Sequence, residues 1–256
     1  MAPLQTVSHS GNPIDMTSLF GEGSFTGSNG VRLVYRLFLP NGYDAKKEYP
    51  LILFMHGAGE RGTDNRQQLR GFAEAFRHEA SPIYQCIVLA PQCPLDKKWV
   101  NVPKWHNYSV DEIAESEEIQ VVLELLAATR CSYRVDPDRV YCTGLSMGGF
   151  ATWDMSVRHP ELFCAIAPVC GGADDSSAAV LKDLPIWTFH GDEDPTVPIE
   201  GTEKMVRALR AAGNTSVRYD VLQGMRHDIW KTVYARTELF TWMLSQKRST
   251  VKNENT

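Results

Sequence analysis

Residues 141–150 read YCTGLSMGGF. A short apolar run, RVYCTG, ends here and a helical pattern, MGGFATWDMSVRH, begins, so Ser146 stands at the joint between a strand and a helix. Glycine is a poor strand and helix former because it loses the most backbone freedom on folding. The crowding of Gly144, Gly148 and Gly149 around one serine therefore needs a local reason. A strand that turns straight into a helix must turn sharply. Small residues on either side let the flanking backbone come close with no Cβ in the way.

The same strand character recurs outward from this point. PLILFMHG (50–57), QCIVLAPQ (85–92), CAIAPVCG (164–171) and PIWTFHG (185–191) are near-continuous apolar runs, as expected of strands buried on both faces. VRYDVL (217–222) is a weaker copy. SFTGSNGVRLVYRLFLP (24–40) predicts a hairpin turning at Asn29-Gly30, with Val31, Leu33, Tyr35, Leu37 and Leu39 alternating on its second strand. Ile119, Val122, Leu123 and Leu126 follow helical spacing. Residues 147–158 and 201–212 also read as helix, and 228–246 as one closing amphipathic helix. Alternating buried strands and helices predict an α/β fold: a mainly parallel sheet covered on both faces, with an antiparallel N-terminal hairpin at one edge. No repeat or linker divides the chain. Residues 1–22 read as a loop segment, 23–246 as a single domain, and 247–256 as a frayed polar tail.

Composition narrows the function classes. The chain has 256 residues, 43% hydrophobic and 22% charged, ordinary values for a globular protein with a sizeable core. A net charge of −5 gives no basic footprint for nucleic acid. No apolar run approaches the ~20 residues of a membrane span. The start shows no charged region followed by an apolar one, so no signal peptide is read and a cytoplasmic location is expected, a trimmed secreted form looking the same. The six cysteines are scattered, several inside apolar runs, and read as buried free thiols. No CxxC or Cys/His cluster offers a metal site, so neither metal nor cofactor is expected.

The joint at Ser146 also has chemical meaning. Gly144-Leu145-Ser146-Met147-Gly148 is a G-x-S-x-G turn, which exposes the serine Oγ above a helix N-terminus. A serine hydroxyl is a weak nucleophile that needs a base, and the base needs an orienting acid. On a strand–turn–helix of this kind the chain order is Ser, acid, His. Three histidines follow Ser146. His159 ends the helix and reads as a cap, and His190 closes a strand before the next acid. His227, in the glycine-containing loop of LQGMRHDIW, is placed for the base. HGDEDPTVP follows a strand directly, at the level where ligands sit in parallel sheets. Asp194 is the preferred acid, with Asp192 read as a turn former. Negative charge on an attacked carbonyl would meet two backbone N–H groups, those of Met147 and of Ala58 in the loop MHGAGERG. His56 precedes the serine and reads as a strand-end residue that holds this loop.

The motifs GLSMGG, HGAGERG, HGDEDPTVP and GMRHDIW together resemble the phospholipase/carboxylesterase branch of the α/β-hydrolases, a serine esterase group related to dienelactone hydrolases and to feruloyl and acetylxylan esterases. The likeness runs over residues 31–246. It implies the α/β-hydrolase fold and a small-molecule ester substrate, hydrolysed through a Ser-His-Asp triad and an acyl-enzyme without nucleic acid, membrane or cofactor. Dienelactone hydrolases carry a cysteine at the turn where this chain has Ser146, which argues against their lactone chemistry. GERGTDN and PQCPLDKKW resemble a subgroup labelled peptidases, but the chain has no residues for a gating domain, and esterase is the expectation over amidase. For specificity, Trp99 and Trp105 flank VNVPK and either line an acyl or aromatic pocket or pack their loop. Glu60 and Arg61 either bind a polar leaving group or lock the loop by an ion pair, the second being the preferred reading.

Overall fold

The computed structural model describes residues 15–106 and 108–248. Asp15 caps a single helical turn, Met16–Leu19 (α1), by accepting from the Thr17 N–H at 3.1 Å. The strands Gly21–Thr26 (β1) and Arg32–Phe38 (β2) form the expected hairpin. Tyr49–Met55 (β3) and Ile87–Gln92 (β4) follow, then Glu117–Ser132 (α2) and Val135–Leu145 (β5). Met147–Arg158 (α3) leads to Ala165–Val169 (β6) and Trp187–Gly191 (β7). Ile199–Ala211 (α4), Arg218–Leu222 (β8), Trp230–Tyr234 (α5) and Thr237–Ser245 (α6) are the last elements among the described residues.

The strands make one sheet in the order β1-β2-β4-β3-β5-β6-β7-β8. β2 alone runs against the rest. From β4 to β8 every pairing is parallel, so the carboxyl ends of these strands open on one rim. The period-two alternation of strand side chains splits the core into two layers. Leu51, Leu53 and Met55 point to the face covered by α2, α3 and α4, while Ile52 and Phe54 point to the face covered by α5, α6 and a 3-10 run, Gln67–Phe76. On that second face the Phe54 and Phe72 rings stack at 4.0 Å between centroids.

α2 starts where its chemistry says it should. Ser116 accepts from the Ile119 N–H at 3.1 Å, Glu117 and Glu118 occupy the first turn, and Arg130 the last. Three sequence expectations need correction. Residues 16–22 are not loop: the Asp15 cap folds 16–19, and Gly21 and Glu22 already pair with β2. The closing helix is two helices, broken at Ala235 and Arg236, where Arg236 leaves the helical region (φ −80°, ψ 108°) and reaches Asp220 of β8 at 2.7 Å. At the tail, Lys247 and Arg248 are held: the Arg248 N–H donates to the Asp138 carbonyl at 3.0 Å, and its guanidinium donates to the Phe163 carbonyl. Residues 1–14 and 249–256 of the expected end segments lie outside the described residues. All six cysteines are free thiols, Cys131 alone being exposed. Among the described residues no helix is long and apolar enough to cross a membrane.

Phe54 is fully buried within the aromatic layer. Phe54→Ala should lower the unfolding free energy by about 3–5 kcal/mol. Urea melts followed by circular dichroism measure it, and a loss below about 1 kcal/mol would show that the Phe54–Phe72 stack does not anchor this face.

Candidate active site

Ser146 sits at φ 52° and ψ −117°, outside the regions an L-residue ordinarily adopts, at a cost of about 1–3 kcal/mol. Two features hold it there. Its N–H donates to the Val169 carbonyl on β6 at 2.9 Å, and its carbonyl accepts the first α3 hydrogen bond, from Phe150, at 3.0 Å. The glycines make the close approach possible. A Cβ on Gly148 would overlap the Met55 carbonyl at the end of β3, and one on Gly144 would meet the Gly148 and Met55 carbonyls. The helix end is thus pressed against the sheet backbone to backbone.

Three side chains from three strand ends line up at this point. The Ser146 Oγ lies 2.8 Å from His227 Nε2, and His227 Nδ1 lies 2.6 Å from Asp194 Oδ2. A carboxylate only accepts, so His227 Nδ1 carries a proton, and Nε2 is left to accept from the serine hydroxyl. Asp194 comes from the loop after β7 and His227 from the loop after β8. These loops pack closely because Gly191 has no side chain: a Cβ there would overlap the Met225 and Arg226 carbonyls.

The Asp194 carboxylate is fully buried. Burial alone raises its pKa, but hydrogen bonds from His190, His227 and the N–H groups of Val197 and Thr196 hold it well below the usual carboxylate range. Asp192, the alternative acid, is exposed. His190 was read from the sequence only as a strand end. It is fully buried, and its Nε2 faces the Val197 carbonyl at 2.9 Å and Asp194 Oδ2 at 3.3 Å. Both partners only accept, so this nitrogen also carries a proton. Its Nδ1 lies 2.8 Å from the Thr202 hydroxyl, which reaches the Gly171 carbonyl at 3.1 Å. One carboxylate oxygen thus faces two imidazole N–H groups. The signal for it in sequence is the four-residue spacing from His190 to Asp194 across a turn.

The loop after β3 is fixed from behind. The Cys93 N–H donates to His56 Nε2 at 2.9 Å, so the Nδ1 proton points to the Gly57 carbonyl at 2.6 Å. Trp99 is fully buried, donates its indole N–H to the His56 carbonyl at 3.1 Å, and lies edge-on to the His56 ring. Of its two open roles it takes packing, beneath the loop. Trp105 is half-buried against Phe150 of α3, with the Lys98 ammonium 5.2 Å above its ring. Arg61 does lock the loop, but through the Ala58 and Lys97 carbonyls at 2.9 and 3.2 Å. A Glu60–Arg61 ion pair is not what holds it: Glu60 is half-buried, burial raises its pKa, and the cation acting on it is Arg70. Ala58 opens a 3-10 turn, Ala58–Glu60, and Met147 opens α3. The first N–H groups of a helix have no partner inside it, and the positive end of the α3 dipole lies at the second of these two. Trp230, which the sequence reading passed over, stands edge-on to His227 with ring centroids 5.8 Å apart. Among the described residues no group of three or more His, Cys, Asp or Glu side chains converges to hold a metal ion.

Burial depresses the His56 imidazole from 6.5 to about 4, with a smaller push from Arg61 and an opposing one from the Gly57 contact. The folded state therefore keeps His56 neutral where an unfolded chain takes up a proton. The stability this gives is complete above about pH 6.5 and is lost as pH falls towards about 4. The urea midpoint should drop across that window, and His56→Gln should flatten the slope. A midpoint that stays level from pH 6.5 to 4 in the unsubstituted protein would contradict a neutral His56.

Known proteins resemble this chain over most of its length. Residues 43–243 match the family model described as phospholipase/carboxylesterase. A solved structure of a thermostable esterase superposes with a TM-score of 0.83 at 35% identity, over 90% of this chain and 64% of that one. NocK of Nocardia uniformis subsp. tsuyamanensis, which bears the name of an esterase, is 29% identical over 170 residues, which are 65% of this chain and 46% of NocK. Feruloyl esterase C of Emericella nidulans is 25% identical over 180 residues, 68% of this chain and 61% of that protein. The chain spans less than half of the length of NocK and about three fifths of that of the feruloyl esterase.

Proposed function

The chain belongs to the phospholipase/carboxylesterase family and has the α/β-hydrolase fold, and from that premise we propose that it is a serine carboxylic ester hydrolase acting on small esters with short-chain or aromatic acyl groups. The observation that carries this reading is the hydrogen-bonded line from Ser146 Oγ through His227 to Asp194, at 2.8 and 2.6 Å.

Each residue then has one task. Ser146 Oγ attacks the ester carbonyl carbon as its proton passes to His227 Nε2, and the carbonyl oxygen takes the negative charge. The Ala58 and Met147 N–H groups hydrogen-bond that oxygen. His227 next gives the proton to the departing alcohol oxygen, the C–O bond breaks, and the acyl group stays on Ser146. Water enters, loses a proton to His227 Nε2, attacks the acyl carbon, and the carboxylic acid leaves as Ser146 recovers its proton. Asp194 keeps the imidazole in the Nδ1–H tautomer and stabilises the imidazolium formed twice in the cycle. Its depressed pKa keeps it ionised throughout the range in which the histidine must exchange protons. An amide could follow the same route, but its leaving group is poorer and demands more from the proton on His227.

Ser146→Ala should abolish the burst of a chromogenic short-chain ester and lower kcat by on the order of 10⁵–10⁶ while the folded spectrum is kept. Residual turnover above a tenth in a clean preparation would remove Ser146 from the role, and higher kcat/KM on a matched amide would make the protein an amidase.

Asp194→Asn should cost about 10⁴ in kcat, because an asparagine favours the wrong histidine tautomer. Asp192→Asn, at an exposed side chain outside the hydrogen-bonded line, should leave kcat within about twofold. The two rates measured side by side decide between the acids, and a larger loss at Asp192 would reverse the assignment.

A further inference from the structure

A cavity of about 630 Å³, within the size range of small-molecule sites, lies beside the loops that carry His227 and Ala58, with Trp230 and Glu60 rather than Ser146 or His227 themselves in its lining. Three contacts fix its position. Trp230, on one wall, stands edge-on to His227. Glu60, on another, lies two residues beyond Ala58. Gly71, also lining it, sits where a Cβ would press on Leu145, the neighbour of Ser146, and come within 3.8 Å of Trp230.

The walls have two characters. Leu69, Ala73 and the half-buried Trp230 ring give a flat apolar surface. Around it stand three exposed cations, Arg66, Arg70 and Lys231, against two acids, Asp15 and Glu60. Asp15 caps α1, accepting from the Thr17 hydroxyl and N–H, contacts that lower its pKa and keep it negatively charged. Burial raises the Glu60 pKa, against hydrogen bonding to Gly57 and the nearby Arg70 cation. With both acids ionised, three cations against two acids still leave the balance of the cavity positive.

The side of the site it serves follows from the proposed chemistry, on which this inference rests. His227 Nε2 must reach the departing oxygen to protonate it, so the leaving alcohol lies on the His227 side. Trp230, edge-on to His227, is the wall of the cavity that faces this side. We infer that the cavity is the subsite for the leaving alcohol, and that the preferred alcohol carries a flat aromatic body for Trp230 and an anionic substituent for Arg70 and Lys231.

The test uses the full chain and acetate esters of one shape: phenyl acetate bearing a para-carboxylate or a para-carboxamide. The carboxylate should exceed the carboxamide in kcat/KM by about fivefold at low salt, and the ratio should fall towards one at high salt. Arg70→Gln combined with Lys231→Gln should bring the low-salt ratio to one. A ratio of one in the unsubstituted protein, or a ratio that survives the double substitution, overturns the proposal. So does the same charge preference, lost in the same variant, when the carboxylate is moved to the acyl side in monomethyl succinate and compared with its amide. A readout without turnover is calorimetric binding of 4-hydroxybenzoate, the released alcohol, to the Ser146→Ala protein, which the double substitution should weaken about fivefold. If that binding and its loss are seen while no ester is hydrolysed through Ser146, the hydrolase reading fails and the subsite stands. If Ser146-dependent hydrolysis is seen but 4-hydroxybenzoate does not bind, the subsite fails and the hydrolase reading stands.

Discussion

The first turn of α3 meets the ends of β3 and β6 with no side chain between. The Met55 carbonyl occupies the space that a Cβ on Gly148 would take, and the Val169 carbonyl does the same for Gly149. This contact puts the free N–H groups of a helix at the level of three neighbouring strand ends. It also forces the chain between β5 and α3 through the positive φ of Ser146. The hydroxyl, the dipole end and the backbone donors are brought together by one steric condition. The serine's own strain, about 1–3 kcal/mol, is small beside the burial of the two core layers that hold the strands in register.

The groups around the serine are held by protons whose positions their partners dictate. His56 must be neutral with its proton on Nδ1, because its other nitrogen accepts from Cys93. His227 must carry its Nδ1 proton because Asp194 can only accept. His190 must carry its Nε2 proton for the same reason. Three imidazoles of ordinary chemistry are thus given three fixed tasks by their surroundings. His56 anchors a loop, His190 anchors a carboxylate, and His227, less buried than the other two, is left with one nitrogen free for the serine.

Much of this was legible in the sequence, for physical reasons. Strands buried on both faces must be apolar throughout, so PLILFMHG and its relatives announced themselves. The joint at Ser146 was legible because glycine clusters are rare where strand meets helix. Ser146, Asp194 and His227 could be named as candidates because loops at the carboxyl ends of parallel strands share one rim. What stayed hidden depends on contacts distant in sequence. Nothing local distinguishes Arg236, which breaks the last helix by reaching Asp220, from any helical arginine. The 3-10 run Gln67–Phe76 is a different case: Leu69, Phe72, Ala73 and Phe76 stand at helical spacing, a signal the sequence reading passed over, and the run supplies Phe72 to the core. The Trp99 indole is indistinguishable by sequence from a pocket wall, and only its bond to the His56 carbonyl turns it inward.

The glycines also differ in how their replacement could be compensated. A Cβ on Gly71 would strike only the flexible end of Leu145 at close range, so a smaller residue at 145 makes room for it. A Cβ on Gly148 would strike the Met55 and His56 carbonyls, and on Gly191 the Met225 and Arg226 carbonyls. Every amino acid brings the same carbonyl, so no exchange at those partner positions relieves the clash. In genetic terms, position 71 is open to second-site suppression from 145, whereas 148 and 191 have no suppressor among the residues they touch. Epistasis in this protein therefore follows whether a contact is made by side chain or by main chain, a distinction that a pairwise covariation signal would register at 71 and miss at 148 and 191.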